Sequence, residues 1–157
     1  MSLFEAARWA PSAFNLQVWR FVFAERNSSH WDRYINLLPE RNEPWAKDAA
    51  VLVVVLSNKY ETYKGRKLPV PTHSFDAGGA SMALSLEGTA RGFVVHPTGG
   101  FDEKKVAEAI GLKGDDYKIE AILAIGNRAF RGKPERTTQR HELDKLVSEG
   151  FFVEKIK

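Results

Sequence analysis

The chain contains no cysteine, which excludes disulfides and thiol chemistry and fits a reducing compartment. Long apolar runs are lacking too. The longest, "AAVLVVVL" at 49–56, is too short to cross a bilayer and predicts a buried strand, so no membrane partner is expected. No charged-then-apolar leader opens the sequence, and a cytoplasmic protein is expected. His30, His73, His96 and His141 are scattered without metal-ligand spacing, and no metal is expected. There is no G-x-G-x-x-G or G-K-[ST] phosphate motif. No G-x-S-x-G elbow surrounds Ser81 or Ser85, and no carboxylate pair stands out for glycoside chemistry. An enzyme built from this inventory would borrow its chemistry from an organic cofactor. Neither sign of charge dominates: 23 basic residues face 20 acidic ones, a net +3. That balance predicts a mixed solvated surface, since a nucleic-acid face needs clustering. The nearest approaches are "YKGRK" at 63–67 and the stretch from Arg128 to Arg140.

What is present suits a globular, soluble protein: 157 residues, 43% hydrophobic and 27% charged. We expect one domain over 1–157, with 127–157 as a polar C-terminal arm. Ser2 to Ala10 reads as a helix with Leu3, Phe4, Ala7 and Ala10 on one face, stopped by Pro11. "WRFVFAE" at 19–25 reads as a strand. Ser28 or Ser29 can cap a helix carrying Trp31, Tyr34, Ile35 and Leu38, ended by Pro39. The β-branched run Ala50 to Ser57 belongs in the centre of a sheet, covered on both faces. Asn58 to Thr72 reads as an exposed loop. Residues 73–91 are apolar nearly all round and predict a buried central helix, in which glycines cost propensity and hint that something needs the space. A strand at 92–96, an amphipathic helix at 102–111 and a strand at 118–126 follow. Helices and strands intermingle, which predicts an α+β domain with a mostly covered sheet. The arm ends in "GFF" at 150–152. Wrapping a partner subunit would bury those phenylalanines, and two-fold dimers are the commonest oligomer.

Three constellations carry chemistry. "RWAPSAFNLQVWRF" at 8–21 sets Pro11, Ser12 and Asn15 between aromatic residues. Serine and asparagine there suit a turn, or a polar planar ligand walled from water by Trp9, Phe14 and Trp19. "VVHPTGGFDEKK" at 94–105 runs a strand into Pro97, Thr98, Gly99 and Gly100 before a helix begins near Asp102. A diglycine there permits unusual dihedrals and close approach to a flat ring, or serves a tight turn alone. Asp102 and Glu103 would repel a phosphate, so the loop suits a neutral ring. Arg128, Arg131, Lys133, Arg136 and Arg140 form a basic stretch, either solvated or phosphate-binding. His96 is a conceivable acid–base group.

Together these segments resemble the FMN-dependent nitroreductase family. "AARWAPSAFNLQVWRFV" is similar to its early A-x-x-A-P-S-x-x-N-x-Q-P-W-x-F signature, with Val18 where proline is usual. "RNEPWAKDAAVLVVV" at 41–55, "DAGGASMALSLEGTARGFVVHPTGGFD" at 76–102, "AIGNR" and "TTQRHELDKLVSEGFF" resemble later family segments in the same order. Met1 falls near the end of the family's first helix, past its basic R-R-S-x-R arm, and Arg136 with nearby lysines could replace part of that charge.

The resemblance implies a nitroreductase-like fold: a central mixed β-sheet flanked by helices, in a homodimer with C-terminal arm exchange and two FMN sites at the interface. It implies that Pro11, Ser12 and Asn15 contact flavin, largely across the dimer, and that Asn42 bonds the pyrimidine edge. Pro97, Thr98 and Gly99, within the loop that includes Gly100, would line the N5 side, the Gly99 N–H pointing at N5. Arg140 would hold the phosphate. Trp45 stands where many members have a lysine near the flavin carbonyl. The implied activity is ping-pong: NAD(P)H gives hydride to flavin N5 and leaves, and a nitroaromatic or quinone takes its place. No side chain need act as nucleophile. Acceptor choice would lie with residues of the 58–72 loop. A flavin-binding or regulatory module without redox turnover is the alternative, and nucleic-acid binding through residues 128–140 a third reading.

Overall fold

A strand apolar at every position from Val51 to Leu56 can be hidden only by cover on both of its faces. The computed structural model describes residues 1–128, 138–152 and 154. Helix α1 (Ser2–Arg8) leads through one 3-10 turn into strand β1 (Trp19–Glu25), short helices α2 (Trp31–Ile35) and α3 (Glu43–Ala46), and strand β2 (Val51–Asn58). A hairpin of β3 (Tyr60–Tyr63) and β4 (Arg66–Pro69) follows, then helix α4 (His73–Ala90) and strand β5 (Phe93–Thr98). Helix α5 (Glu103–Ile110), strand β6 (Tyr117–Asn127) and a single helical turn, α6 (Leu143–Leu146), complete the described elements.

The main sheet runs β1-β2-β6-β5, so β2 is central as its composition requires. Leu52, Val54 and Leu56 point to one face, against Tyr34, Leu37, Leu38, Ala46 and Val106. Val53 and Val55 point to the other, against Ala7, Ala77, Ala80 and Leu84. Burying each such Leu or Val side chain fully contributes about 1.5–3 kcal/mol. The family resemblance implies a mixed sheet, and here the structure corrects that expectation. All three pairings of this sheet among the described residues are antiparallel, because each neighbouring strand enters from the opposite end.

Two further expectations change. Residues 58–72 are not a plain loop but carry the β3–β4 hairpin, with Lys64 and Gly65 at φ 48° and 75°. Positive φ at both central residues of a two-residue hairpin turn matches the strands' twist. Helix α2 stops at Ile35 rather than reaching Leu38, and its start has no side-chain cap; the Ser28 carbonyl accepts the Trp31 N–H at 3.1 Å. Leu37 and Leu38 are buried all the same. Helix α5 forms as its ends dictate: Asp102 caps it by accepting from the Lys104 and Lys105 amides, and Gly111 leaves it at φ 71°.

The small residues of α4 serve two faces. Ala77, Ala80, Leu84 and Gly88 are buried. A Cβ on Gly88 would lie 2.6 Å from Val95 Cγ2, so glycine is what lets α4 sit this close to β5. On the opposite face Phe75, Met82 and Leu86 are exposed, and around Gly78 and Gly79 nothing lies within 4 Å of an added Cβ. Residues 138–152 and 154 are all exposed, with Phe151 and Phe152 at 85% and 91%. Among the described residues no helix is long and apolar enough to cross a membrane.

Candidate functional site

Two predicted segments meet at the end of β5. Thr98 is only 5% exposed, and its Oγ1 donates to the Ile122 carbonyl at 3.0 Å, bolting the end of β5 to β6. Pro97 costs no ladder bond of consequence because β5 is an edge strand. Past that bolt Gly99 and Gly100 emerge into solvent. An added Cβ at Gly99 would meet nothing within 4 Å. Gly100 sits at φ 78°, and a Cβ there would lie 3.5 Å from an Arg41 guanidinium nitrogen and 3.8 Å from Pro39. The segment before α3 is thus packed beside the diglycine. Asn42 opens α3 with its backbone, donating its N–H to the Pro39 carbonyl at 2.7 Å and accepting from the Ala46 N–H at 3.0 Å. Its amide side chain makes no capping bond. Trp45, one helical turn on, meets His96 edge to face at 4.7 Å. These two rings, with Asp48, Val94 and Asn127 among others, line a cavity of about 100 Å³. The amides of Lys104 and Lys105 are taken by Asp102, so the start of α5 offers them to no anion.

The segment 11–17 forms a second, separate surface. Ser12 is extended, and Phe14, Asn15 and Gln17 follow at φ 50°, 56° and 48°. Left-handed backbone is uncommon outside glycine and asparagine, so something must hold this loop. Ser12 Oγ accepts from the Gln17 N–H at 3.0 Å. The Ala13 N–H donates to Asp76 Oδ2 on α4 at 3.1 Å, and the Thr72 hydroxyl donates to the same oxygen at 3.1 Å. The aromatic wall expected here does not form within one chain. Trp19 is buried in the core, and Phe14 projects 96% exposed. Trp9 lies along α1, its Nε1–H donated to Glu5 at 2.9 Å and the Arg8 guanidinium over its ring.

One chain does not bring Pro11, Ser12 and Asn15 to Pro97, Thr98, Gly99 and Gly100. The first group precedes β1 and the second ends β5, at opposite edges of the sheet. Three strand spacings of about 4.8 Å put those edges about 14 Å apart. Arg140 bonds within its own segment: its Nη1 donates to Thr138 Oγ1 at 2.6 Å and to the Thr138 and Gln139 carbonyls. Arg131, Lys133 and Arg136 lie outside the described residues.

Sequence reasoning missed Asp76, hidden in a helix read as apolar, and a polar cluster behind it. Ser57, fully buried at the end of β2, donates to Glu120 Oε1 at 2.6 Å, as does Ser74 at 2.7 Å. Lys118 Nζ reaches Glu120 Oε2 at 2.9 Å and Ser74 Oγ at 3.0 Å. Burial pushes the Glu120 carboxyl up, but the hydrogen bonds from Ser57, Ser74 and Lys118 outweigh it and hold it below the usual carboxylate range. With both serine hydrogens committed to Glu120, His73 must carry its proton on Nδ1, facing Ser57 Oγ at 2.7 Å. The alternation of β6 sets Glu120 with exposed Lys118 and opposite buried Ile119, so the strand's own pattern gives no signal of this cluster. Among the described residues no group of three or more histidines or carboxylates could hold a metal ion.

The family model described as Nitroreductase family matches residues 1–38 and 31–127. A solved structure described as an oxidoreductase containing FMN is 37% identical with a TM-score of 0.92, covering 98% of this chain and 81% of that one. YdgI of Bacillus subtilis (strain 168), provisionally named an NAD(P)H nitroreductase, is 26% identical over 163 residues, 83% of this chain and 77% of its own. Protein DrgA of Synechocystis sp. (strain ATCC 27184 / PCC 6803 / Kazusa) is 30% identical over 150 residues, 80% of this chain and 71% of its own.

Proposed function

The chain belongs to the nitroreductase family, and from that premise we propose that it is an FMN-dependent oxidoreductase carrying electrons from NAD(P)H to an electron-poor acceptor such as a nitroaromatic or quinone. The observation that carries this reading is the loop after β5. Thr98 fixes its root, glycine leaves its main chain open at 99, and Asn42 stands alongside with an uncapped amide. A flat heteroaromatic ring fits such a surface: no side chain separates it from the backbone, and an amide can both donate to and accept from its edge. The FMN-containing structure similar at 37% identity and the name of the YdgI relative supply the cofactor and the reductant.

FMN, when bound, supplies the two-electron chemistry that no side chain here offers. The chain's residues bind and orient. In this reading the Gly99 N–H would donate to the ring, Pro97 and Thr98 would lie under it, and Asn42 would bond its pyrimidine edge. Pro11, Ser12 and Asn15 complete the site from a second copy, since within one chain they sit at the far edge of the sheet. The exposed stripe of Phe75, Met82 and Leu86 on α4 and the exposed Phe151 and Phe152 are surfaces a homodimer with exchanged C-terminal arms would cover. Arg140, whose contacts stay within its own segment, holds the phosphate in that assembly.

The test is titration of the purified protein with FMN, followed by anaerobic NADH or NADPH. Saturable uptake and bleaching of the bound flavin are expected; a protein that takes up no FMN overturns the reading. A second reading has its own support: Trp45 brings an uncharged ring against His96. A flavoprotein without redox turnover would bind FMN but leave it oxidised under both nicotinamides.

A further inference from the structure

We propose that Asp76 is a positioning residue for the cofactor site, holding the strained 11–17 loop in its binding conformation from within α4. The inference rests on the flavin reading above for what the loop binds, and on this chain alone for how the loop is held. Three of its residues occupy left-handed backbone, and Phe14 does so while 96% exposed. Neither hydrophobic burial nor glycine explains that conformation.

The Ser12 Oγ–Gln17 N–H bond ties the loop to itself; Asp76 ties it to the body of the protein. It is 5% exposed, in a helix whose other buried positions are Ala77, Ala80, Leu84 and Gly88. A carboxylate in such surroundings is costly unless its oxygens are hydrogen-bonded. Its Oδ2 accepts the Ala13 N–H, at the root of the left-handed turn, and the Thr72 hydroxyl. Downstream, the Asn58 N–H donates to the Val18 carbonyl at 2.8 Å. The loop is therefore tied to α4 at one end and to β2 at the other. The α4 end is itself rigid, because His73 and Ser74 in its first turn engage Ser57 and Glu120. Such fixing from behind is what a site needs when its contacts come from a loop: the geometry exists before the ligand arrives, and little ordering is charged against binding.

The experiment has two readouts. In the cofactor-free protein, amide hydrogen exchange at Ala13 should be slowed to the level of the α4 interior, and Asp76→Ala should release it. FMN affinity of Asp76→Ala should fall about tenfold or more, while Asp76→Asn, which keeps a carbonyl oxygen for the Ala13 N–H, stays within about threefold of wild type. Leu84→Ala, two turns along the same helix, should lower stability and leave FMN affinity unchanged, so loss of stability alone does not mimic the effect. Fast exchange at Ala13 in the wild type overturns the proposal even where Asp76→Ala does not fold. Wild-type affinity in a folded Asp76→Ala overturns it as well. A wild-type protein that ignores FMN defeats the flavin reading instead, and the exchange measurement still decides whether Asp76 holds the loop.

Discussion

Replacing Gly99 and Gly100 separately with alanine should split stability from binding. At Gly99 an added Cβ meets nothing within 4 Å and the backbone is outside the left-handed region. Alanine there should leave stability unchanged or raise it by about 0.4–1 kcal/mol through the unfolded chain. At Gly100 the contacts of an added Cβ, 3.5 Å to Arg41 and 3.8 Å to Pro39, are ordinary, but φ is 78°. Left-handed backbone costs a side-chain-bearing residue about 1–2 kcal/mol. In a protein of this size about 2–4 °C of melting temperature is lost per kcal/mol, so Gly100→Ala should melt about 2–8 °C lower. Binding should rank the other way around for the quieter substitution. A methyl at Gly99 stands between the main chain and the ring that the Gly99 N–H is proposed to meet, so FMN affinity should fall at least about tenfold, about 1.4 kcal/mol. Thermal denaturation of the cofactor-free variants and fluorescence titration with FMN measure both. Gly99→Ala binding FMN like wild type would refute the reasoning about the loop. Equal losses of melting temperature in the two variants would refute the reasoning about its backbone.

Other consequences concern the frame behind the site. Leu84→Ala removes a fully buried side chain and should cost about 2–5 kcal/mol in denaturant unfolding; a cost under 1 kcal/mol would mean the face of α4 against β2 is loosely packed. Gly88→Ala gains helix propensity of about 1 kcal/mol but drives a methyl to 2.6 Å from Val95 Cγ2. Overpacking of about 1–3 kcal/mol should win, and Val95→Ala in the same chain should recover part of it. Glu120 has its folded-state pKa held below the unfolded value. Its stabilising contribution is therefore present above the ordinary carboxylate value of about 4.3 and lost as pH falls through the folded pKa. Glu120→Gln should flatten the acid limb of a stability–pH profile; an unchanged limb would show that the cluster around Ser57 carries no charge-dependent stability.

How much of this was legible in the sequence follows from which forces act locally. Periodicity and end signals specified β1, β2, α4, α5 and β6, because each element's burial pattern is written in its own residues: the unbroken Val51–Leu56 run, the Asp102 cap, Gly111. The β3–β4 hairpin was missed because its alternation is carried by tyrosines and lysines rather than aliphatic residues. The single apolar helix read from 73–91 hid both of its secrets. Asp76 gives no signal beyond one acidic residue, and its partner amide is 63 positions away. The exposed stripe looks like core until the opposite face is seen to do that work. Sequence proximity groups Trp9 and Trp19 with Phe14, but α1 and β1 turn them to different surroundings. Sheet order could not be read either, since strand neighbours are set by long-range pairing. That order is what separates Asn15 from Gly99 within one chain.

The proposed FMN site is assembled from the 11–15 segment of one copy and the 97–100 loop of another. It is tested most directly by complementation. Asn15→Asp, which keeps tolerance of left-handed backbone but adds a charge beside the ring, and Gly99→Ala should each bind FMN weakly alone. Co-expressed, they should form mixed dimers in which one site carries both defects and the other none, restoring about a quarter of the tight sites under statistical pairing. Recovery of that fraction in FMN titration is the predicted result, and no tight sites in a preparation shown to contain mixed dimers would contradict it.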